Sequence, residues 1–157
     1  MHLPASQPRE ISTGERADVV GMVSAFTDRI LTRCANDVMR TGVPFVASND
    51  RLARAAESMT TFGVRELAVV DDGVVVGIIT RTDLEPYVGQ LEWTIVRLAM
   101  TPSPRTVRPG DSVAAVAMVL LEGSFNGVPV VIDRTLAGMI SRHDLLRMLA
   151  ECPGNGK

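Results

Sequence analysis

Apolar positions along the chain change period several times, and each change marks an element. Leu52, Ala55, Ala56 and Met59 recur at helical spacing behind Asn49 and Asp50, residue types that cap helices. After Gly63 comes the apolar run 66–70, then Asp71-Asp72-Gly73, then a second run over 74–80. Asp-Gly tolerates the positive φ of a tight hairpin turn, so two antiparallel strands are expected there. Another helix is expected to open near Thr82 and Asp83. The order then returns. Asp111 is a second cap, and Val113, Val116, Ala117, Leu120 and Leu121 form a helix face. Residues 128–132 and 136–140 read as paired strands about the turn Asp133-Arg134-Thr135, and a last helix runs from about 142 to 150. Short strands at Phe45-Val46 and Thr106-Val107 precede each first helix, so each unit reads β-α-β-β-α.

The two units are copies. Sliding the chain against itself by 61 positions brings Met39 onto Met100, Val46 onto Val107, Asp50 onto Asp111, Ala53 onto Ala114 and Ala56 onto Ala117. It brings Val69-Val70 onto Val130-Val131, and Gly77, Ile79, Arg81, Asp83 and Leu84 onto Gly138, Ile140, Arg142, Asp144 and Leu145. One such unit buries little and leaves sheet faces open. Two packed about a pseudo-twofold axis cover each other and gather equivalent loops around shared clefts. The expected division is a tail and amphipathic helix over 1–35, a first repeat over 36–93, a second over 94–152, and a tail over 153–157.

In the N-terminal stretch, Ser12 to Glu15 has the form of a capping box, and Val19, Val23, Phe26, Ile30 and Cys34 fall on one helical face. That face either packs on its own domain or forms a dimer contact. Hydrophobic residues make up 46% of the 157 and charged residues 22%, which excludes a disordered chain. The net charge of −2 argues against general binding to nucleic-acid backbone, although 15 of the 16 basic residues are arginines, suited to a local anion pocket. Cys34 and Cys152, with only His2 and His143 as companions, make neither a disulfide framework nor a zinc site. The longest apolar run, 113–121, is far short of the roughly 20 residues a membrane helix needs. No apolar leader core appears in the first ten residues. A cytoplasmic protein without membrane contact is expected.

The doubled Gly-hydrophobic-hydrophobic-(Thr/Ser)-x-x-Asp pattern, Gly77 to Asp83 and Gly138 to Asp144, each ending a hairpin inside a β-α-β-β-α unit, resembles the CBS domain. A tandem pair of such domains is called a Bateman module. The resemblance implies an α/β (α+β) fold of two repeats with pseudo-twofold symmetry, and a regulatory module binding AMP, ADP, ATP or S-adenosylmethionine, none held as a tight cofactor. It also implies a homodimer through the CBS helices and a separate effector protein.

Carried over residue by residue, the resemblance makes Asp83 and Asp144 acceptors for ribose hydroxyls and Thr80 and Ser141 donors to phosphate, beside helix N-termini. Arg65 falls where the family places a basic side chain facing the cleft; its counterpart Asn126 brings no charge. Val43 and Pro44 in one copy, Pro104 and Arg105 in the other, with Leu67-Ala68 and Val128-Pro129, are the expected adenine slot. Arg81, Arg142 and Arg108 are further cations of unread direction. Asp and Thr at a helix start are equally ordinary caps. Catalysis is not expected: His143 and Asp144 are adjacent on a helix and point about 100° apart, and nothing requires Glu66 and Asp83 to pair. The alternative function is a structural dimerisation module with degenerate nucleotide sites.

Overall fold

A computed structural model describes residues 14, 21, 23, 24, 27, 28, 30–123 and 125–151. The elements are α1 (Ala35–Val38), β1 (Phe45–Val46), α2 (Leu52–Phe62), β2 (Glu66–Asp71), β3 (Val74–Thr80), α3 (Arg81–Leu84), β4 (Thr101–Pro102), α4 (Val113–Glu122), β5 (Gly127–Ile132), β6 (Thr135–Ser141) and α5 (Arg142–Ala150). The two hairpins, β2–β3 and β5–β6, are in register with one another across the 61-residue shift: Glu66 pairs Thr80, and Gly127 pairs Ser141. Both turns place two residues at positive φ, Asp72 at 49° and Gly73 at 79°, Asp133 at 48° and Arg134 at 70°. Two residues therefore suffice for each turn, and Thr135, expected in the turn, already belongs to β6.

One sheet of order β1-β2-β3-β6-β5 results, its halves joined where Val74 pairs Thr135. These are equivalent residues, so the pseudo-twofold axis passes between them. Side chains alternate along each strand. Leu67, Val69 and Ile79 pack with Val46, Leu52, Ala55 and Met59 of their own repeat. Val128, Val130 and Ile140 pack with Val116 and Leu120. The opposite positions Ala68, Val70, Ile78 and Met139 form a seam shared by the two repeats. Burial on both faces is why these strands read as continuous apolar runs rather than as alternation.

The segments leading into the repeats are exchanged. Ala35, ahead of the first repeat, lies in the core of the second. Its equivalent Val96 lies in the core of the first. Ala35 N–H donates to Asp111 O at 2.8 Å, and Val96 N–H to Asp50 O at 2.8 Å. Further on, Arg40 bridges Met139 of β6, while Thr101 of β4 pairs Ile78 of β3. The sequence pattern did not predict β4.

Several expectations change. Asn49, Asp50 and Asp111 do not cap: the N-caps are Arg51 and Ser112, the latter accepting from Ala115 N–H. Asp50 and Asp111 instead turn back, accepting from Ala47 N–H at 2.8 Å and Arg108 N–H at 2.7 Å. Each carboxylate closes the loop before its helix. Thr106-Val107 makes only an isolated bridge, Val107 to Val130. The helix after Thr80 is a single turn passing into the 3-10 turn Glu85–Tyr87, because Pro86 has no N–H to continue it. Arg147 holds the equivalent place in α5, which runs on to Ala150.

Described positions between 14 and 32 are helical, but Val23 is 58% exposed, so at this position the apolar stripe does not pack on the domain. Cys34 has left that helix: it bridges Ser112 and precedes α1. Val19, Phe26, the capping-box residues Ser12 and Glu15, Cys152, residues 1–10 and the tail over 153–157 lie outside the described residues.

Candidate functional site

The exchange of leading segments makes a cleft between the repeats. It measures about 380 Å³, within the range of small-ligand sites. The first repeat supplies Arg40, Val43, Pro44 and the 63–66 stretch containing Arg65 and Glu66; the second supplies Asn126, Met139 and the start of α5 from Ser141 to Asp144, with Arg147. Six of the expected residues therefore meet in one place: Val43, Pro44, Arg65, Asn126, Ser141 and Asp144.

Asp144 is a buried carboxylate, 7% exposed. Its Oδ2 accepts from Ser141 N–H at 2.7 Å and Ser141 Oγ at 2.6 Å, and lies 3.3 Å from Arg40 Nε. Ser141 Oγ in return accepts from Asp144 N–H, which completes a capping box. Capping thus uses Oδ2 alone. Among the described residues Oδ1 takes part in none of these contacts, and it is not a buried orphan. Capping and ligand contact are compatible here, one oxygen for each. The guanidinium of Arg40 lies against the carboxylate only because its segment is borrowed from the other repeat.

Glu66 opens β2 on the cleft floor. Its carboxyl takes the N–H of Gly127, the residue equivalent to itself across the pseudo-twofold axis. A Cβ on Gly127 would lie 1.9 Å from Glu66 Oε1, so the absent side chain makes room for the carboxyl. The other oxygen, Oε2, is buried without a partner. Burial pushes the Glu66 pKa up from 4.5 to about 7; the Gly127 N–H, Arg40 and Arg142 pull it down, and Asp144 pushes the same way as burial. From sequence alone Glu66 has only a possible pairing with Asp83, and Arg40 no role. The one available signal for both is their change across the repeat, Arg40 to Thr101 and Glu66 to Gly127.

Asp83 makes the same capping box with Thr80, its Oδ2 accepting from Thr80 N–H at 2.7 Å and Oγ1 at 2.8 Å. Neither residue lines the cleft or its twin. The base side of the twin, related by the 61-residue shift, is lined by Pro104, Arg105, Ile78 and Phe125, with Val119, Leu120 and Val128 behind them, and holds only about 10 Å³. Ala68 and Pro129 lie buried in the sheet, Leu67 in the first core and Val128 in the second, none of them on the cleft wall; Val128 also borders the small pocket at Pro104 and Arg105. Arg142 reaches back to Leu120 O at 2.8 Å and Gly123 O at 3.3 Å, satisfying carbonyls at the end of α4. Arg105 pairs Glu122 at 2.9 Å. Arg81 and Arg108 are exposed and away from the cleft.

Among the described residues no cluster of metal-ligating side chains occurs, and no helix is long and apolar enough to cross a membrane.

A family model for the CBS domain matches residues 35–88 and 95–151. The CBS-pair protein CBSX2 from Arabidopsis thaliana is similar in structure: TM-score 0.71, 26% identity, 79% of this chain and 99% of that one. CBSX2 has also been crystallised with AMP, and that structure matches with TM-score 0.69 at 25% identity over 77% of this chain and 99% of that one. The CBS domain pair of protein MJ0100, in complex with 5′-methylthioadenosine and S-adenosyl-L-methionine, matches with TM-score 0.66 at 27% identity over 74% of this chain and 95% of that one. Protein MJ1404 of Methanocaldococcus jannaschii is 29% identical over 90% of this chain and 41% of its own length. The chain spans between 16% and 52% of the length of the curated relatives it matches.

Proposed function

The chain belongs to the CBS-domain family, with two copies in tandem, and on that footing we propose that it is a regulatory module sensing an adenosine-containing nucleotide in the Arg40–Asp144 cleft. The observation that carries this reading is a buried acidic helix start, with one carboxylate oxygen uncommitted, opening on a cavity of about 380 Å³. Asp144 Oδ1 accepts from the ribose hydroxyls. Val43, Pro44 and Met139 offer the base an apolar wall. Arg65, exposed on the lip, meets phosphate, and Arg40 adds charge beside it. The adenosine ligands of CBSX2 and MJ0100, both similar to this chain, support the ligand class.

Titration with AMP, ADP, ATP and S-adenosylmethionine, read by calorimetry and thermal shift, tests this. A ligand at 100 times its Kd is expected to stabilise the fold by about 2.7 kcal/mol. Asp144→Asn keeps an acceptor for the capping box and is expected to weaken binding by about ten- to a hundredfold, the worth of a charge-assisted hydrogen bond. Arg65→Ala is expected to weaken ATP more than adenosine. The proposal fails if no ligand shifts the melting temperature, or if Asp144→Asn binds as the parent does.

A second reading, a dimerisation or interaction module, is favoured by exposed apolar side chains on the helices: Met118 and Leu121 on α4, and Leu146 on α5. Sedimentation in the same samples separates the two. A homodimer that forms without any nucleotide response supports the second.

A further inference from the structure

We infer that the chain takes one nucleotide and not two, because Phe125 has closed the cleft that the pseudo-twofold axis would otherwise provide. The inference rests on the proposed ligand class and concerns which half of the duplication is in use.

The positions that shape the first cleft have counterparts 61 residues away, and several of these differ in ways that crowd the second or remove its charge. Val64 becomes Phe125, whose ring joins the apolar seam of Ala68, Val70, Ile78 and Met139. The ring packs close over Gly123, where a Cβ would lie 2.7 Å from Phe125 Cδ2, so the absence of a side chain there gives the ring its place. On the side where the base would lie, against Pro104, Arg105 and Phe125, only about 10 Å³ remains. That is the room of a single water at most, while a nucleotide site needs several hundred Å³. Arg40 becomes Thr101, so no borrowed guanidinium reaches Asp83. Arg105, which replaces Pro44 and lines what is left of the twin, is engaged with Glu122 at 2.9 Å. Asp83 keeps its capping box and nothing more.

A single site changes what the module can report. Two open clefts can hold two different nucleotides at once and register their coincidence. One open cleft makes every adenosine ligand a competitor of every other, so occupancy follows the ratio of competing nucleotides, each weighted by its Kd.

Equilibrium dialysis and calorimetry with AMP and ATP are the test, on the full chain and on Asp144→Asn and Asp83→Asn variants. The parent is expected to bind one AMP per chain along a simple hyperbola, and ATP to displace it one for one. Asp144→Asn is expected to lower affinity at least tenfold. Two nucleotides per chain, simultaneous retention of AMP and ATP, or binding that survives Asp144→Asn and is lost with Asp83→Asn overturns the single site while leaving the proposed function standing. No heat and no retention with any adenosine ligand overturns both, and is told apart by zero occupancy in place of two.

Discussion

Gly138→Ala is expected to lower the unfolding free energy by about 3 kcal/mol, the upper range of overpacking costs, and Gly77→Ala by markedly less. The two glycines are equivalent, and both let the leading segment of the other repeat cross β6 or β3. What they meet differs. A Cβ at 138 lies 2.5 Å from Arg40 O, a backbone atom held in place by two hydrogen bonds, Arg40 N–H to Met139 O at 2.9 Å and Met139 N–H to Arg40 O at 3.0 Å. A Cβ at 77 meets Met100 Sδ at 2.5 Å, the flexible part of a side chain that can swing away, with the nearest backbone atom, Thr101 O, at 3.2 Å. Relief at 138 therefore breaks the bridge, whereas relief at 77 needs only a rotamer change. Paired denaturant curves measure the difference, and for a chain of this size 3 kcal/mol corresponds to a drop of about 6–12 °C in Tm. The segment that must move carries Arg40, so Gly138→Ala is also expected to weaken nucleotide binding where Gly77→Ala does not. Equal losses for the two variants would mean that the crossing segments are not held as described.

The fold was legible because the duplication preserves what folding needs. Gly77 and Gly138, Val69-Val70 and Val130-Val131, and Asp83 and Asp144 recur where each hairpin and helix start requires them. Strand and turn limits followed from period and from turn-forming residues. Periodicity shows what an element is and not which copy it docks on, so the exchange of Ala35 and Val96, the extra strand Thr101–Pro102 and the delivery of Arg40 to Asp144 left no local trace. Helix caps were misplaced by one residue because Asp50 and Asp111 have upstream amides within reach, which is a tertiary choice. The site lay in the mismatches. Arg40, Val64, Arg65 and Glu66 line one cleft, and their counterparts Thr101, Phe125, Asn126 and Gly127 each differ in side chain. Reading the identities alone makes Asp83 and Asp144 equals, and the structure separates them.

Stability is expected to fall as the pH rises from about 4.5 to above 7, and Glu66→Gln to remove that fall. The Glu66 carboxyl has a folded-state pKa of about 7 against 4.5 in the open chain. The folded form therefore binds the proton more tightly than the unfolded form throughout that interval. Each step up in pH favours unfolding until both forms are ionised. The contribution is intact below 4.5 and gone above 7, the reverse of a salt-bridged carboxylate. A displacement of this size corresponds to a ceiling of roughly 3 kcal/mol. The cause is an ionised group with one oxygen, Oε2, buried and unpartnered beside the Asp144 carboxylate, with Arg40, Arg142 and the Gly127 N–H offsetting only part of the cost. Glutamine keeps an acceptor for Gly127 N–H and stays neutral, so the variant is expected to match the parent near pH 5 and to exceed it at pH 8. Urea midpoints taken across this range for both proteins give the comparison. Parallel pH profiles would show that Glu66 is ionised and solvated in the folded protein, and the closed contact between Glu66 and Gly127 would then have to open in solution.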